Sequence, residues 1–232
     1  MKNVQKNILI IIILVIIVGL GVYFINKNNP VADNPIPDIE YVYALSDFPD
    51  SSQDDAEYNQ TLVDRLNKNY DLLKNNEALS EYDVWIEIGN IKQGLIDFEG
   101  ALEAWHYATV LNDISPLAYA NIANYYKLFA QDREQAEEYY KIVVTKDNIG
   151  YFFDYLSYAE LYFFEPHKDL YKAELILLTG ADKAQGVSDR QVRYYLYLYD
   201  MWIDENDQNK IDVYKAKILE LYPNYNFENP NL

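Results

Sequence analysis

A pattern of small and aromatic residues recurs along this chain at a nearly regular interval, and it restricts the fold more than any other feature. The first copy places an aromatic, an aliphatic and a small residue on one predicted helix and a small-aromatic-small set on the next: Trp85, Ile88, Gly89, Ala101, Trp105 and Ala108. The second copy has the corresponding residues Tyr119, Ile122, Ala123, Tyr126, Ala136, Tyr140 and Val143. Small residues let two helices approach closely, and aromatic residues fill the gaps between hairpins. Since one such hairpin cannot bury its apolar face alone, the pattern predicts a stack of hairpins.

Two further copies follow with looser spacing. The third contains Tyr155, Tyr158, Ala159, Tyr162, Ala173 and Leu177, and the fourth contains Tyr195, Leu198, Tyr199 and Trp202, followed by residues 211–223. The interval between copies lengthens along the chain, as the positions of their leading aromatic residues show: Trp85, Tyr119, Tyr155 and Tyr195. Lys92 stands in the first copy where an aromatic residue is expected. A generic helical bundle with chance spacing is the alternative interpretation.

Every element predicted beyond residue 54 is a helix. Apolar residues three and four apart indicate amphipathic helices, and capping residues mark where helices begin: Ser80, Asp97, Ser115, Asp132 and Ser188. No Asn-Gly or Asp-Gly turn separates two alternating runs, so no strand pair is predicted. The nine predicted helices cover residues 54–75, 81–94, 97–111, 116–130, 132–146, 150–164, 168–180, 188–204 and 208–222.

Together these residues resemble the tetratricopeptide repeat (TPR) family over residues 81–223, with repeats near 81–114, 116–147, 150–182 and 188–223. The resemblance implies an all-α domain over residues 54–232, a TPR-like α-solenoid in which the first helix of each hairpin lines a groove for an extended peptide or a partner helix. The residues it implies for repeat packing are Trp85, Gly89, Ala101, Trp105, Ala108, Tyr119, Ala123, Tyr126, Ala136 and Tyr140.

The resemblance also implies which side chains face the groove, namely the residue after each small position and some of its neighbours. These are Asn90, Gln93, Asn121, Asn124, Lys127, Glu160 and Asp200. Asparagine can hydrogen-bond a peptide backbone as donor and as acceptor, although the same polar residues can simply face water. Chaperone-binding members of the family hold a terminal carboxylate with several lysines and arginines, and they carry lysine where Ile86 stands here. A cationic or neutral segment is therefore the expected ligand.

The N-terminal part of the chain contains an apolar run from Ile8 to Ile25 that carries no charge. As a helix it would extend roughly 27 Å, about the thickness of a bilayer core. Lys2 and Lys6 precede the run and only Lys27 follows it closely, so residues 1–27 are predicted to be a cytoplasmic tip and transmembrane anchor in the cytoplasmic (inner) membrane. The C-terminal domain would then be extracytoplasmic. A cleaved signal peptide is the alternative, and residues 28–53, rich in Pro, Asn and Asp, are predicted to be a linker.

The remaining composition excludes several classes of function. The net charge is −18, and residues 1–27 contain three lysines and no acid, so residues 28–232 carry 16 basic and 37 acidic side chains. Such a surface repels phosphate backbones, so no nucleic-acid partner is expected. The chain has no cysteine, and its two histidines, His106 and His167, belong to no metal-ligand spacing. No metal, no cofactor and no catalytic residue is therefore predicted, and the chain is not expected to be an enzyme.

The leading hypothesis is a membrane-anchored scaffold or chaperone-like adaptor of the bacterial cell envelope that binds a protein or peptide in the groove. One alternative is a hydrolase of envelope polymers whose site would include Glu160 and Asp200 in an acidic part of the groove. Another is a structural protein that forms homo-oligomers through an unfinished repeat edge.

Overall fold

The computed structural model describes residues 41–51, 55–164 and 166–228, and this part of the chain is all-helical, without a strand. Its nine α-helices are α1 (Ala56–Lys74), α2 (Glu81–Gly94), α3 (Phe98–Leu111), α4 (Leu117–Leu128), α5 (Arg133–Lys146), α6 (Phe152–Ala159), α7 (Leu170–Lys183), α8 (Ser188–Asp204) and α9 (Gln208–Leu221). Short 3₁₀ turns lie at Leu45–Asp47 and Glu160–Tyr162. Helix α6 is shorter than the predicted helix 150–164, because the 3₁₀ turn ends it at Ala159.

The chain divides into two compact units between Asp113 and Ile114. Unit 1 contains α1 to α3, and unit 2 contains α4 to α9. The most extensive helix contacts join α2 to α3, α4 to α5, and α8 to α9, and α6 and α7 form a further pair. The four pairs are helical hairpins, and we call their members the first and the second helix. The fold is therefore all-α and repeat-like.

The second helix of every hairpin begins in the same way. It is 14 residues long and follows directly on an aspartate whose carboxylate accepts a hydrogen bond from a backbone N–H in the first turn: Asp97, Asp132, Asp169 and Asp207. Such a cap satisfies one of the N–H groups that a helix start leaves without a partner. The predicted cap Ser188 behaves differently, because it is the first residue of α8 and no side chain caps that helix.

In unit 1 the packing of the hairpin depends on one close contact. The indole of Trp105 on α3 lies against Gly89 on α2, where a Cβ would stand 2.8 Å from Cε2 and closer still to two other ring atoms. Residues 41–51 pack on the same unit, since Asn67 on α1 exchanges two 2.8 Å hydrogen bonds with the backbone of Tyr43. The ring of Tyr43 stacks on Tyr70.

In unit 2 neighbouring hairpins are joined by a recurring ion pair between their second helices. Lys172 of α7 lies 3.1 Å from Glu137 of α5, and Lys210 of α9 lies 2.6 Å from Glu174 of α7. Each lysine is the third residue of its helix, so both pairs connect equivalent positions. Burial alone would raise the pKa of the Glu137 carboxyl. Hydrogen bonds and positive charges, including those of Lys141 and Lys172, outweigh burial and lower this pKa to about 2. The second helices of unit 2 therefore form a row.

The structure corrects the predicted membrane anchor. Among the described residues, no helix combines the length and the apolar character that crossing a membrane requires. The longest, α1, has 19 residues and includes Glu57, Asp64 and Lys68. The part of the predicted fold class that is wrong is therefore the transmembrane helix. The predicted location, a single-pass protein of the inner membrane, is not supported either. Both predictions came from the hydropathy of residues 8–25, which lie outside the described residues, and an apolar run by itself does not establish a spanning helix.

Candidate functional site

The first helices of unit 2 present a surface that we call the candidate face. Its residues recur three or four apart along α4, α6 and α8, which places those within the helices on one side of each helix. They are Asn121, Asn124, Lys127 and Leu128 from α4, Phe153, Ser157, Glu160 and Phe164 from α6 and the residues that follow it, and Tyr197 and Asp200 from α8. Five of the seven predicted groove residues belong to this set.

Lys127 joins α4 to α6. Its ammonium group forms an ion pair with Glu160 and donates a 3.2 Å hydrogen bond to the carbonyl oxygen of Ser157. The lysine side chain is largely buried, whereas the Glu160 side chain remains about one-third exposed. The positive charge at the centre of the candidate face is therefore already neutralised, while one carboxylate beside it stays accessible.

An aromatic contact joins α6 to α8. The ring of Phe163 stacks on Tyr197 with 5.8 Å between centroids, and Phe152 contacts the same tyrosine edge-on at 6.1 Å. Burial raises the pKa of the Tyr197 hydroxyl, and Glu160 and Asp204 add to the effect. The three first helices of unit 2 thus lie side by side, linked by side chains of the candidate face or immediately next to it.

Asn124 is held in a fixed orientation by the second helix of its own hairpin. The Tyr140 hydroxyl donates a 2.6 Å hydrogen bond to Oδ1 of Asn124. The Asn124 amide nitrogen donates no hydrogen bond to another described residue. Unit 1 repeats the arrangement, since Nε1 of Trp105 donates a 3.2 Å hydrogen bond to Oδ1 of Asn90. In both hairpins, the asparagine that follows the small residue of the first helix accepts a hydrogen bond from the second helix through its side-chain oxygen. The two side-chain N–H groups of Asn124 therefore remain available to a ligand.

Large apolar side chains flank this polar centre. Leu128 is 59% exposed, Phe153 54% and Phe164 75%. Sequence reasoning missed all three because apolar residues in a helical domain are first assigned to its core. The helical spacing of Phe153 and Glu160 is the signal that could have placed Phe153 on the same side of α6.

The acidic end of the candidate face is at Asp200. Burial raises the pKa of its carboxyl above the usual range, and the nearby Asp204 acts in the same direction. Burial raises the pKa of the Tyr225 hydroxyl, and the charge of Asp200 raises it further. Asp200 therefore lies next to the segment that follows α9, and it is itself an exposed residue.

The predicted groove residues are thus divided between the two units. Asn90, which is exposed, and Gln93, which is partly buried, are on α2 of unit 1, while Asn121 is partly buried on α4 of unit 2. Of the residues predicted for repeat packing, Tyr119 and Tyr126 are partly buried. The others are buried: Trp85, Gly89, Ala101, Trp105, Ala108, Ala123, Ala136 and Tyr140.

Neither histidine belongs to the candidate face. Within the described ranges, no group of three or more histidine, cysteine, aspartate or glutamate side chains could hold a metal ion. His106 is buried in α3 of unit 1, where burial lowers its pKa to about 4. The candidate face therefore offers hydrogen bonds, apolar contact and negative charge, which are the means by which a surface binds another chain.

Comparison with models of known protein families gave no match to this chain. Comparison with curated proteins gave no match either.

Proposed function

We propose that this chain is a protein-interaction module of the tetratricopeptide type whose candidate face binds an extended peptide segment of a partner protein. The observation that carries the proposal is the orientation of Asn124. Tyr140 fixes its amide oxygen, which leaves its N–H groups in place to donate to a peptide carbonyl. A donor that is ordered before the ligand arrives loses little conformational freedom on binding.

Exposed apolar side chains on both sides of Asn124 and Glu160 support the same proposal. Phe153 and Phe164 of the α6 region and Leu128 of α4 give large contact areas close to the polar centre. Binding energy in protein interfaces is concentrated in a few such anchors, surrounded by polar groups that set register. The bound segment would place apolar side chains on these residues and its backbone beside Asn124.

The charge of the candidate face favours a neutral or basic segment. Lys127 is neutralised by its ion pair with Glu160, whereas Asp200 and Asp204 have no basic partner within ion-pair distance among the described residues. The chain as a whole carries a net charge of −18. A basic peptide would therefore be attracted before contact, and its binding would weaken as salt concentration rises.

Photocrosslinking in cells tests where the partner binds. A photoreactive amino acid is placed in the full chain at Phe153 or at Asn121, and, as the matched control, at Leu175, which is 65% exposed on second helix α7. We expect the first two positions to crosslink one discrete protein that the Leu175 position does not crosslink. Equal crosslinks from all three positions would overturn the proposal.

The binding energetics test the anchors directly. Peptides covering the crosslinked region are titrated into the full chain by fluorescence anisotropy. Phe153→Ala combined with Phe164→Ala is expected to weaken binding at least tenfold, because truncating interface anchors costs more than about 1 kcal/mol each. Leu175→Ala should leave the dissociation constant unchanged. If the double alanine variant binds the peptide with the same dissociation constant as the unchanged chain, the proposed binding face is wrong.

A further inference from the structure

The segment after α9 folds back onto the last hairpin, and we call residues 222–228 the C-terminal strap. The Phe227 ring lies 5.0 Å from the ring of Tyr199 on α8, and Nζ of Lys215 on α9 lies 5.0 Å from the Phe227 ring. Tyr225 contacts Phe227 edge-on, with 4.8 Å between centroids. The Tyr222 hydroxyl donates a hydrogen bond to Asp189 at the start of α8. The strap is thus held at both ends by the fourth hairpin.

The strap occupies the position that a further hairpin would take. Lys215 stands eight residues after the capping Asp207, just as Tyr140 stands eight residues after the capping Asp132. Tyr140 is covered by the stacked ring of Tyr158 from the next first helix, at 5.5 Å. At the end of the stack, Phe227 contacts Lys215 instead, and Lys215 remains exposed. The strap therefore covers part of an edge that inside the stack is covered by a neighbouring hairpin.

An uncovered edge of a hairpin stack associates readily, because its apolar surface is built to pack against another copy of the same unit. The surface that contacts the strap combines the Tyr199 ring with an acidic and a basic residue, Asp200 and Lys215, which are both exposed. In a two-fold symmetric dimer, each contact between two different residues occurs twice, once in each direction. Asp200 and Lys215 can then form two equivalent ion pairs around paired tyrosines.

We propose that the edge formed by Tyr199, Asp200 and Lys215 is a self-association surface, that the strap covers its Tyr199 ring, and that a second copy of this chain binds it once the strap is released. The surface is self-complementary in charge although the chain is strongly acidic overall, and this favours a second copy over an unrelated acidic protein. The proposal shares Asp200 with the candidate face, but it concerns the end of the stack and is measured by association of the chain with itself, without any peptide.

Releasing the strap in the full chain tests the proposal. Tyr225→Ser combined with Phe227→Ser removes the two rings, and Asn224→Ser, at an exposed position of the same strap, is the matched control. Association is measured by sedimentation equilibrium in density-matched detergent, since residues 8–25 are apolar throughout. We expect the released chain to form dimers with a dissociation constant at least tenfold lower than that of the control. An unchanged dissociation constant in a chain with normal helical circular dichroism would overturn the proposal.

Charge reversal then identifies the surface. In the released chain, Lys215→Glu should weaken the dimer at least tenfold, and adding Asp200→Lys should restore it, because the two ion pairs form again with reversed polarity. A dimer that is insensitive to Lys215→Glu would show that another surface associates, and would also overturn the proposal. If the double serine variant loses helical signal, the milder Phe227→Ala variant is judged by the same two criteria.

Discussion

The Tyr140 hydroxyl donates a 2.6 Å hydrogen bond to Oδ1 of Asn124, across the hairpin formed by α4 and α5. Tyr194 is just as deeply buried, yet its hydroxyl has no hydrogen-bond partner among the described residues. Removing a hydroxyl that is bonded loses the net value of the bond, whereas removing an unbonded one relieves a desolvation cost. The two tyrosines should therefore respond differently to the same change.

Tyr140→Phe is expected to lower the free energy of unfolding of unit 2 by about 1 kcal/mol. Tyr194→Phe is expected to leave it unchanged or to raise it by up to about 1 kcal/mol. Urea denaturation of both variants, followed by circular dichroism, measures the difference. Equal losses in the two variants would show that the hydroxyl of Tyr194 makes a favourable interaction after all.

Gly89→Ala should destabilise unit 1. The added methyl group would overlap the indole of Trp105, which is almost fully buried. Overpacking of this kind costs about 1–3 kcal/mol. Gly94→Ala, in the same helix, is the matched control: its methyl group would meet only the end of the Leu62 side chain, at 3.2 Å. Thermal denaturation should show a clear drop in melting temperature for the first variant only, and similar melting temperatures would contradict the contact.

Glu174→Ala should be among the most destabilising single changes in unit 2. The residue is 5% exposed, and its carboxylate pairs with Lys210 at 2.6 Å and accepts a hydrogen bond from the Tyr214 hydroxyl. Its removal leaves a partly buried ammonium group without its counter-charge, which costs about 3 kcal/mol in comparable pairs. Glu138→Ala, at an exposed position of α5, should change the unfolding free energy by less than about 0.5 kcal/mol. Chemical denaturation distinguishes the two, and matching effects would count against the pair.

His106 should make unit 1 sensitive to acid. Burial lowers its pKa from 6.5 in the unfolded chain to about 4 in the fold, so the folded state holds the neutral form. Its contribution to stability is fully present above pH 6.5 and is lost as the pH falls toward 4, on the order of 3 kcal/mol in total. His106→Gln should flatten the stability curve over that interval, whereas His167→Gln, at an exposed position, should not. Denaturation at several pH values measures the free energy of unfolding of the unchanged chain and of the two variants. The prediction is wrong if all three show the same dependence on pH.

Much of the hairpin stack follows from residues that act locally. Ala101, Ala136 and Ala173 have no exposed surface, since only a small side chain fits where two helices lie close, and their spacing predicts this directly. The capping residues Asp97 and Asp132 also follow from local chemistry. Asp169 and Asp207 continue the same series, but sequence reasoning missed them because the interval between copies grows along the chain.

Other features depend on contacts between residues far apart in sequence. The ion pair between Lys127 and Glu160 and the packing of Phe227 on Tyr199 follow no periodic pattern, so neither was predicted. Sequence reasoning placed Asn124 in the groove, yet the orientation of its amide is set by a hydroxyl 16 residues away. Phe153 escaped notice for a different reason, because an exposed phenylalanine and a buried one give the same signal in an apolar-rich helix.

The four capping aspartates have a consequence for how this chain tolerates insertions. The spacing between successive caps increases along the chain, from Asp97 to Asp132, Asp169 and Asp207. Each second helix nevertheless keeps the same 14-residue length, so the additional residues lie in the segments between these helices. The carboxylate fixes the first turn whatever length of chain precedes it. The length of chain between caps can therefore vary in evolution without rotating the following helix about its axis, and the residues that pack against its partner helix stay in phase.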